Sequence, residues 1–381
     1  MRMLRNVVLL TLPAIVLALA VLELGALSLL VPVDDVPLEW WDESARILKY
    51  RPNQQGVSFP EGDRRRPVCY AINADGWNSV HPRYSAERRK DLRVAVVGDS
   101  YVAAFQVDPA DSVSGRLEAL LGSDRAEVYA FGMNGAHLSQ YLHVARHVIE
   151  RYRPDVIVLL LVHNDFDESY RTVAGRYTAS FLRLRAKDDG VEEVSPAPYP
   201  GSPVADWIRT RSATFRFLFY RLRVGSQLLR DLYFRAASGK APRYEANVDV
   251  GELEAEEQRL WRATRYVLGQ IALLQQSSGV PFVLLMDTPR LRLYQGRDPA
   301  ESDAYRLNRM AAALAADAGI EFVDLTETFR DDYEQYGRRF DFPTDGHWNA
   351  RAHRLAAREL CRALGRTQVD PDGGCNVLER R

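Results

Sequence analysis

Residues 94–100 read Val94-Ala95-Val96-Val97-Gly98-Asp99-Ser100, an apolar strand that runs straight into a Gly-Asp-Ser turn. The stretch Asp155-Val156-Ile157-Val158-Leu159-Leu160-Leu161-Val162 is almost wholly apolar too. Runs of this kind suit strands buried on both faces, as in parallel sheets covered by helices on each side. Ser100 then stands just past the carboxyl end of a strand, where ligands bind in open α/β sheets.

Outward from this strand the pattern is regular. Strands are expected at 93–98, 127–131 and 155–162, with helices at about 111–121 and 137–152 between them. After an insertion at about 167–250 come a helix at 253–278, a strand at 281–286, a helix at 301–317 and a strand at 321–325. The run Ala350 to Leu364 reads as a last helix. Alternation of this kind predicts an α/β fold, a doubly wound, flavodoxin-like parallel sheet sandwiched by helices, over residues 91–365. Residues 36–90, rich in Pro, Trp and charge with a turn-like Asn73-Ala74-Asp75-Gly76, read as a stalk and cap. Residues 366–381 form a tail.

The first 35 residues bear on location. After Arg2 and Arg5, residues Val7 to Val33 are apolar apart from Glu23 and a few small or polar residues. As a helix, Val7 to Leu30 would be roughly 36 Å long, against a hydrocarbon layer of about 30 Å. The expectation is a single-pass anchor with a cytoplasmic N-terminus and an extracytoplasmic, periplasmic catalytic domain, Trp40 and Trp41 suiting the far interface. A cleaved signal peptide is the competing reading.

Composition narrows the partners. A net charge of −1 argues against nucleic acid, which needs a clear basic excess. The 46% hydrophobic content supports a real core. Cys361 and Cys375 can be bridged, leaving Cys69 over, or all three cysteines can be unpaired; no spacing suits zinc. His143 and His147 stand four apart on an expected helix but lack the acidic residue of a metalloprotease motif, so no metal and no cofactor is expected.

The chemistry rests on four blocks. A serine hydroxyl is a poor nucleophile without a base in hydrogen-bond reach and donors for the oxyanion. Asp341-Phe342-Pro343-Thr344-Asp345-Gly346-His347-Trp348-Asn349 offers His347 as base and Asp345 to orient it. Phe131-Gly132-Met133-Asn134-Gly135 and Val162-His163-Asn164-Asp165 both follow strands. Gly135 can present a backbone N–H at close approach, Asn164 a side-chain amide, and the Ser100 N–H a third donor. Each residue alone is an ordinary loop residue. Their order at successive strand ends points to a serine active site. His163, beside Asn164, is a candidate substrate contact; His353 is expected on a helix surface, and Asp99 as a turn residue supporting Ser100.

These blocks, in this order, resemble those of the SGNH (GDSL-type) hydrolase superfamily over about residues 92–364. The resemblance implies Ser100 as nucleophile, Gly135 and Asn164 as oxyanion donors, and Asp345 with His347 as acid and base. The chain departs from the family pattern at Val162, where glycine is usual, in its long insertion, and in placing Asp345 two rather than three residues before the histidine; Asp341 is the alternative acid. The implied activity is acyl transfer, and the Asp-Gly-His-Trp-Asn block is similar to that of relatives handling polysaccharide O-acetyl groups. A serine esterase acting on acylated glycan of the cell envelope or an exported carbohydrate is the first expectation, a polysaccharide O-acetyltransferase the second. A lipid esterase or a non-catalytic carbohydrate-binding relative follow.

The insertion joins a Pro-rich stretch, Ser195 to Pro200, to an amphipathic pattern of Phe215, Leu218, Phe219, Leu222, Leu229, Leu232 and Tyr233. Arginines 209, 211, 216, 221, 223, 230 and 235 accompany it. Such a helix either packs on the catalytic domain or rests on an anionic surface or acidic substrate.

Overall fold

The computed structural model describes residues 10–21, 23, 31–169, 178–187, 190–221, 244–343 and 345–366. Five strands make one sheet: β1 Leu92–Gly98, β2 Ala126–Gly132, β3 Val156–Leu161, β4 Phe282–Met286 and β5 Glu321–Asp324. Their spatial order is β5-β4-β3-β1-β2, and every neighbouring pair is parallel. From the other edge this is 2-1-3-4-5, the flavodoxin-like order, in which the winding reverses between β1 and β3. The expected α/β architecture is therefore present, and Ser100 sits at the reversal.

The strands are apolar throughout because both faces are covered. Successive side chains point to opposite faces. Ala95, Val97, Ile157, Leu159, Leu284 and Met286 join one core, while Val94, Val96, Val158, Leu160, Val283 and Leu285 join the other. Each fully buried Val or Leu contributes roughly 1.5–3 kcal/mol. Six helices supply the covers: α1 Val113–Leu121, α2 Leu138–Tyr152, α3 Val250–Ser278, α4 Arg306–Ala318, α5 Thr326–Tyr336 and α6 Ala350–Arg366. α2, α3 and α4 pack on the first face, and α1, α5 and α6 on the second. Their ends follow local chemistry. Ser112 and Asp249 cap α1 and α3 by accepting from Gly115 N and Gly251 N, and α3 stops at Gly279, whose φ of +72° suits glycine.

Residues 31–90 are built into this body. Two antiparallel hairpins, Glu39–Asp42 with Ile47–Tyr50 and Gln55–Ser58 with Val68–Ala71, carry buried Trp41, Tyr50 and Tyr70 into the first core. Tyr84 stacks on Tyr129 of β2 with centroids 4.1 Å apart. The Tyr84 hydroxyl also donates to Ala130 O at 2.8 Å and accepts from Ala130 N at 2.9 Å. Along the same outer edge of β2, Lys90 Nζ donates to Ala126 O and the Glu118 carboxylate accepts from Val128 N.

The described part of the insertion holds a hairpin, Arg183–Lys187 with Gly190–Val194, and a helix, Pro203–Arg211. Two of its arginines are engaged within the chain. Arg209 pairs with Glu39 at 2.7 Å, Arg216 with Asp35 at 3.3 Å, and Arg51 reaches back to Asp206 at 2.8 Å. These contacts favour packing over a free basic face. Leu222, Leu229, Leu232, Tyr233 and arginines 223, 230 and 235 lie outside the described residues.

Near the N-terminus a helix runs over Leu12–Val21, with Leu12, Ile15, Val16, Leu17, Leu19 and Val21 exposed. Among the described residues no helix is long and apolar enough to cross a membrane; most of the remaining expected anchor lies outside them. Two residues on, the Glu23 carboxylate accepts from Ser212 Oγ, Ala213 N and Thr214 N of the insertion. Cys69 is free and exposed, and Cys361 is buried and disulfide-bonded. Cys375, its expected partner, lies outside the described residues.

Candidate active site

Ser100 opens a four-residue helix, Ser100–Ala103, directly after β1. Asp99 caps that helix, its Oδ1 accepting from Tyr101 N at 2.8 Å. The turn is tight because two glycines let it be. A Cβ on Gly132, at the end of β2, would lie 2.1 Å from Ala103 N, and one on Gly98 would lie 2.5 Å from Val102 Cγ2. Only hydrogen at both positions lets the serine-bearing turn settle onto the strand ends.

The other end of the chain supplies base and acid. After α5 the chain forms a short antiparallel hairpin, Asp341–Phe342 with Asp345–Trp348. In an extended strand, residues i and i+2 share a face. Asp345 and His347 therefore point the same way across Gly346, which accounts for the two-residue spacing. His347 Nε2 lies 2.8 Å from Ser100 Oγ. On the far side of the ring, His347 Nδ1 is bonded to Asp345 Oδ1, which also accepts from His347 N at 3.0 Å. A carboxylate on Nδ1 holds the proton there and leaves Nε2 as an acceptor for the serine proton. Gln106 Nε2 donates to the other oxygen, Asp345 Oδ2, at 3.3 Å. Asp341 instead pairs with Arg339 at 2.8 Å, so the acid that the structure brings to His347 is Asp345.

Ser100 Oγ also lies 3.2 Å from Asp99 Oδ2. Asp99 is buried, and burial pushes its carboxyl above the ordinary range. His347 is the nearer partner, and its side chain and that of Asp345 stay 28% and 21% exposed, open to a substrate.

The oxyanion candidates lie at the neighbouring strand ends. Met133 N donates to Gly98 O at 3.1 Å, which ties the loop after β2 to the strand that delivers Ser100. Gly135 follows in that loop with φ +72°, a left-handed conformation that favours glycine. Asn164 lies in the turn after β3, which is closed by Asp165 Oδ2 accepting from Val162 N at 2.8 Å. Its side chain has no hydrogen-bond partner among the described residues, so the amide remains available. The Ser100 N–H, at the start of the short helix, belongs to the same edge.

Other expectations are corrected. His163 does not face the opening: it is buried, hydrogen-bonded to Asn308 Oδ1 at 3.0 Å, and burial lowers its pKa to about 4. It shares the Asn308 side chain with Asp287 O and Asp324, so its role is in the core. His353, expected on a helix surface, is buried as well. Its Nδ1 accepts from Val113 N at 3.1 Å, tying α6 to the start of α1, and burial lowers its pKa to about 3. His143 bonds Arg46 O at 3.1 Å. No group of three or more metal-ligating side chains occurs among the described residues.

Sequence reasoning missed a set of residues behind the base. Tyr101 Oη, Arg290 and Asp287 all contact the hairpin that carries His347, and Trp348 Nε1 donates to Asp287 Oδ1 at 3.0 Å. Only Tyr101, adjacent to Ser100, carried a local signal.

Residues 249–377 match the model of the SGNH hydrolase-like domain, acetyltransferase AlgX; this span holds Asp345 and His347 but not Ser100. No curated protein sequence matches the chain significantly. Among solved structures, the chain is similar to an alpha/beta hydrolase enzyme from the metagenome of Lake Arreo, Spain, at 12% identity and TM-score 0.39, covering 73% of this chain and 97% of that one. It is similar to the acetyl xylan esterase AlAXEase at 14% identity and TM-score 0.36, covering 72% and 100%. It is also similar to a catalytic mutant of an acetylxylan esterase from Geobacillus stearothermophilus, at 12% identity and TM-score 0.36, covering 73% and 96%.

Proposed function

We propose that the chain, whose residues 249–377 match an SGNH hydrolase-like domain, acts on ester bonds and removes O-acyl groups, acetyl foremost, from cell-envelope or exported carbohydrate. The observation that carries this reading is the continuous hydrogen-bonded chain from Ser100 Oγ through His347 to Asp345. His347 Nε2 takes the serine proton as Oγ attacks the ester carbonyl. Asp345 stabilises the imidazolium that results. The Ser100 and Gly135 N–H groups and the Asn164 amide hold the oxyanion. Collapse expels the alcohol, which takes the proton from His347, and leaves an acyl-serine. Water, deprotonated by His347, then releases the acid.

A second reading is favoured by one observation, the match of residues 249–377 to a domain described as an acetyltransferase. The steps up to the acyl-serine are the same, and a carbohydrate hydroxyl replaces water as acceptor. For location, the proposal is a membrane anchor formed by the N-terminal apolar segment, with the catalytic domain outside the cytoplasm. The exposed apolar helix Leu12–Val21 supports it, as do exposed Trp207 and Phe219 of the insertion, to which Glu23 is bonded nearby.

The test is turnover of an aryl acetate by purified protein. Ser100→Ala and His347→Ala are each expected to remove at least about 10³-fold of kcat. Parental turnover in Ser100→Ala would overturn the reading. Acetyl transfer to an oligosaccharide faster than hydrolysis selects the transferase.

A further inference from the structure

Two side chains outside the reacting set converge on the peptide that separates its acid from its base. Gly346 O accepts from Tyr101 Oη at 3.0 Å and from Arg290 Nη2 at 2.8 Å. The same Arg290 nitrogen donates to Tyr101 Oη at 2.7 Å, which closes a triangle. Arg290 is held from behind by Asp287 at 3.3 Å, and Asp287 also receives the indole of Trp348, the residue after His347. The Tyr101 ring lies 5.2 Å from the His347 ring and 5.3 Å from that of Trp348. Tyr101, Asp287 and Trp348 are buried, and the Arg290 side chain is 9% exposed.

We propose that Tyr101 and Arg290 are positioning residues: by holding the Gly346 carbonyl they aim the Asp345 and His347 side chains at Ser100. The proposal rests on the assignment of those three as the reacting groups. The peptide at Gly346 needs an outside restraint. The hairpin is short, Asp341–Phe342 against Asp345–Trp348, and its register shifts between Asp341 and Phe342. Gly346 brings no packing of its own, since a Cβ there would meet nothing within 4 Å. Rotation of that one peptide would swing the residues on both sides of it, because each side chain's direction follows the backbone plane beside it. The two donors fix the plane. Tyr101 adds a second link, since it is bonded covalently to Ser100 and so ties base and nucleophile through one side chain. Arg290 acts through one nitrogen, Nη2, which bonds Tyr101 Oη and Gly346 O and lies 3.3 Å from Asp287 Oδ2.

The test uses the full chain with an aryl acetate. Tyr101→Phe keeps the ring and the Arg290–Asp287 pair and removes one donor. It is expected to lower kcat by roughly 10–100-fold with KM within about two-fold, the pattern of misaimed groups rather than lost binding. The far-downfield proton resonance of the Asp345–His347 hydrogen bond is expected to shift or broaden in the same variant. Arg290→Met, which removes the second donor to Gly346 O, is expected to lose more of kcat; should it fail to fold, Tyr101→Phe decides alone. Parental kcat with an unchanged resonance in Tyr101→Phe overturns the proposal, and so does a rise in KM at constant kcat. Failure of the active-site assignment itself looks different, because Ser100→Ala would then retain turnover.

Discussion

Asp345 and His347 work at a separation of two because they occupy a strand, where that separation puts both on one face. Asp345→Asn would leave the neutral side chain able to donate to Nδ1 and so hold the wrong tautomer. Its kcat is expected to fall by about 10³–10⁴-fold. Asp341→Asn, which breaks only the contact with Arg339, is expected to stay within a few-fold of the parent, as steady-state kinetics on an aryl acetate will show. Asn164→Ala is expected to cost about 10²–10³-fold in kcat at nearly constant KM, the effect of removing one oxyanion donor. The places of Ser100, Gly135 and Asn164 just past strand ends were legible in the chain because each sits in a short block whose strand end is marked by apolar residues. Tyr101, Arg290 and Asp287 were not, since their meeting depends on a contact between residues about 190 and 245 apart. His163 and His353 misled for a related reason: a histidine held in the interior by one distant partner looks the same in sequence as an exposed one.

The five strands and the helices α1, α2, α3, α4 and α6 were foreseeable from apolar runs and helical periodicity, with ends displaced by a few residues. α5, Thr326–Tyr336, was not. Its sequence is strongly polar, and only Phe329 and Thr326 are buried, so there is little periodic signal to detect. The hairpin at 341–348 escaped for want of length. Packing between strand ends shows the demand on β2 most clearly. Gly132→Ala would place a carbon against the backbone of Ala103, which cannot retreat without moving Ser100. The variant is expected to lose at least about 2 kcal/mol of unfolding free energy, a steric clash against backbone being among the more damaging single changes. Its kcat should fall as well, checked by denaturant titration and by turnover of the folded fraction. A variant with parental stability and activity would contradict the close approach.

At the scale of the molecule, two buried neutral histidines make stability depend on pH. Burial lowers His163 to about 4 and His353 to about 3, below the ordinary value near 6.5 of an unfolded chain. Below about pH 6.5 the unfolded chain therefore binds more protons, and stability falls as pH drops toward 4, by about 1.4 kcal/mol per pH unit for each histidine. The buried carboxyls of Asp99 and Asp287, pushed up by burial, act in the opposite direction. Comparison with His353→Gln isolates the histidine contribution: unfolding midpoints between pH 7.5 and 5 should change less in the variant than in the parent. The whole chain is also expected to float with lipid vesicles, and to stay in the soluble fraction when Leu12, Val16 and Leu19 are changed to serine. One last consequence concerns self-assembly. An open sheet normally ends in a row of unmatched amides and carbonyls that invites another strand. On the β2 side a tyrosine hydroxyl, a lysine ammonium and a glutamate carboxylate already occupy Ala130, Ala126 and Val128, so growth into fibres or strand-exchanged dimers is blocked along that border.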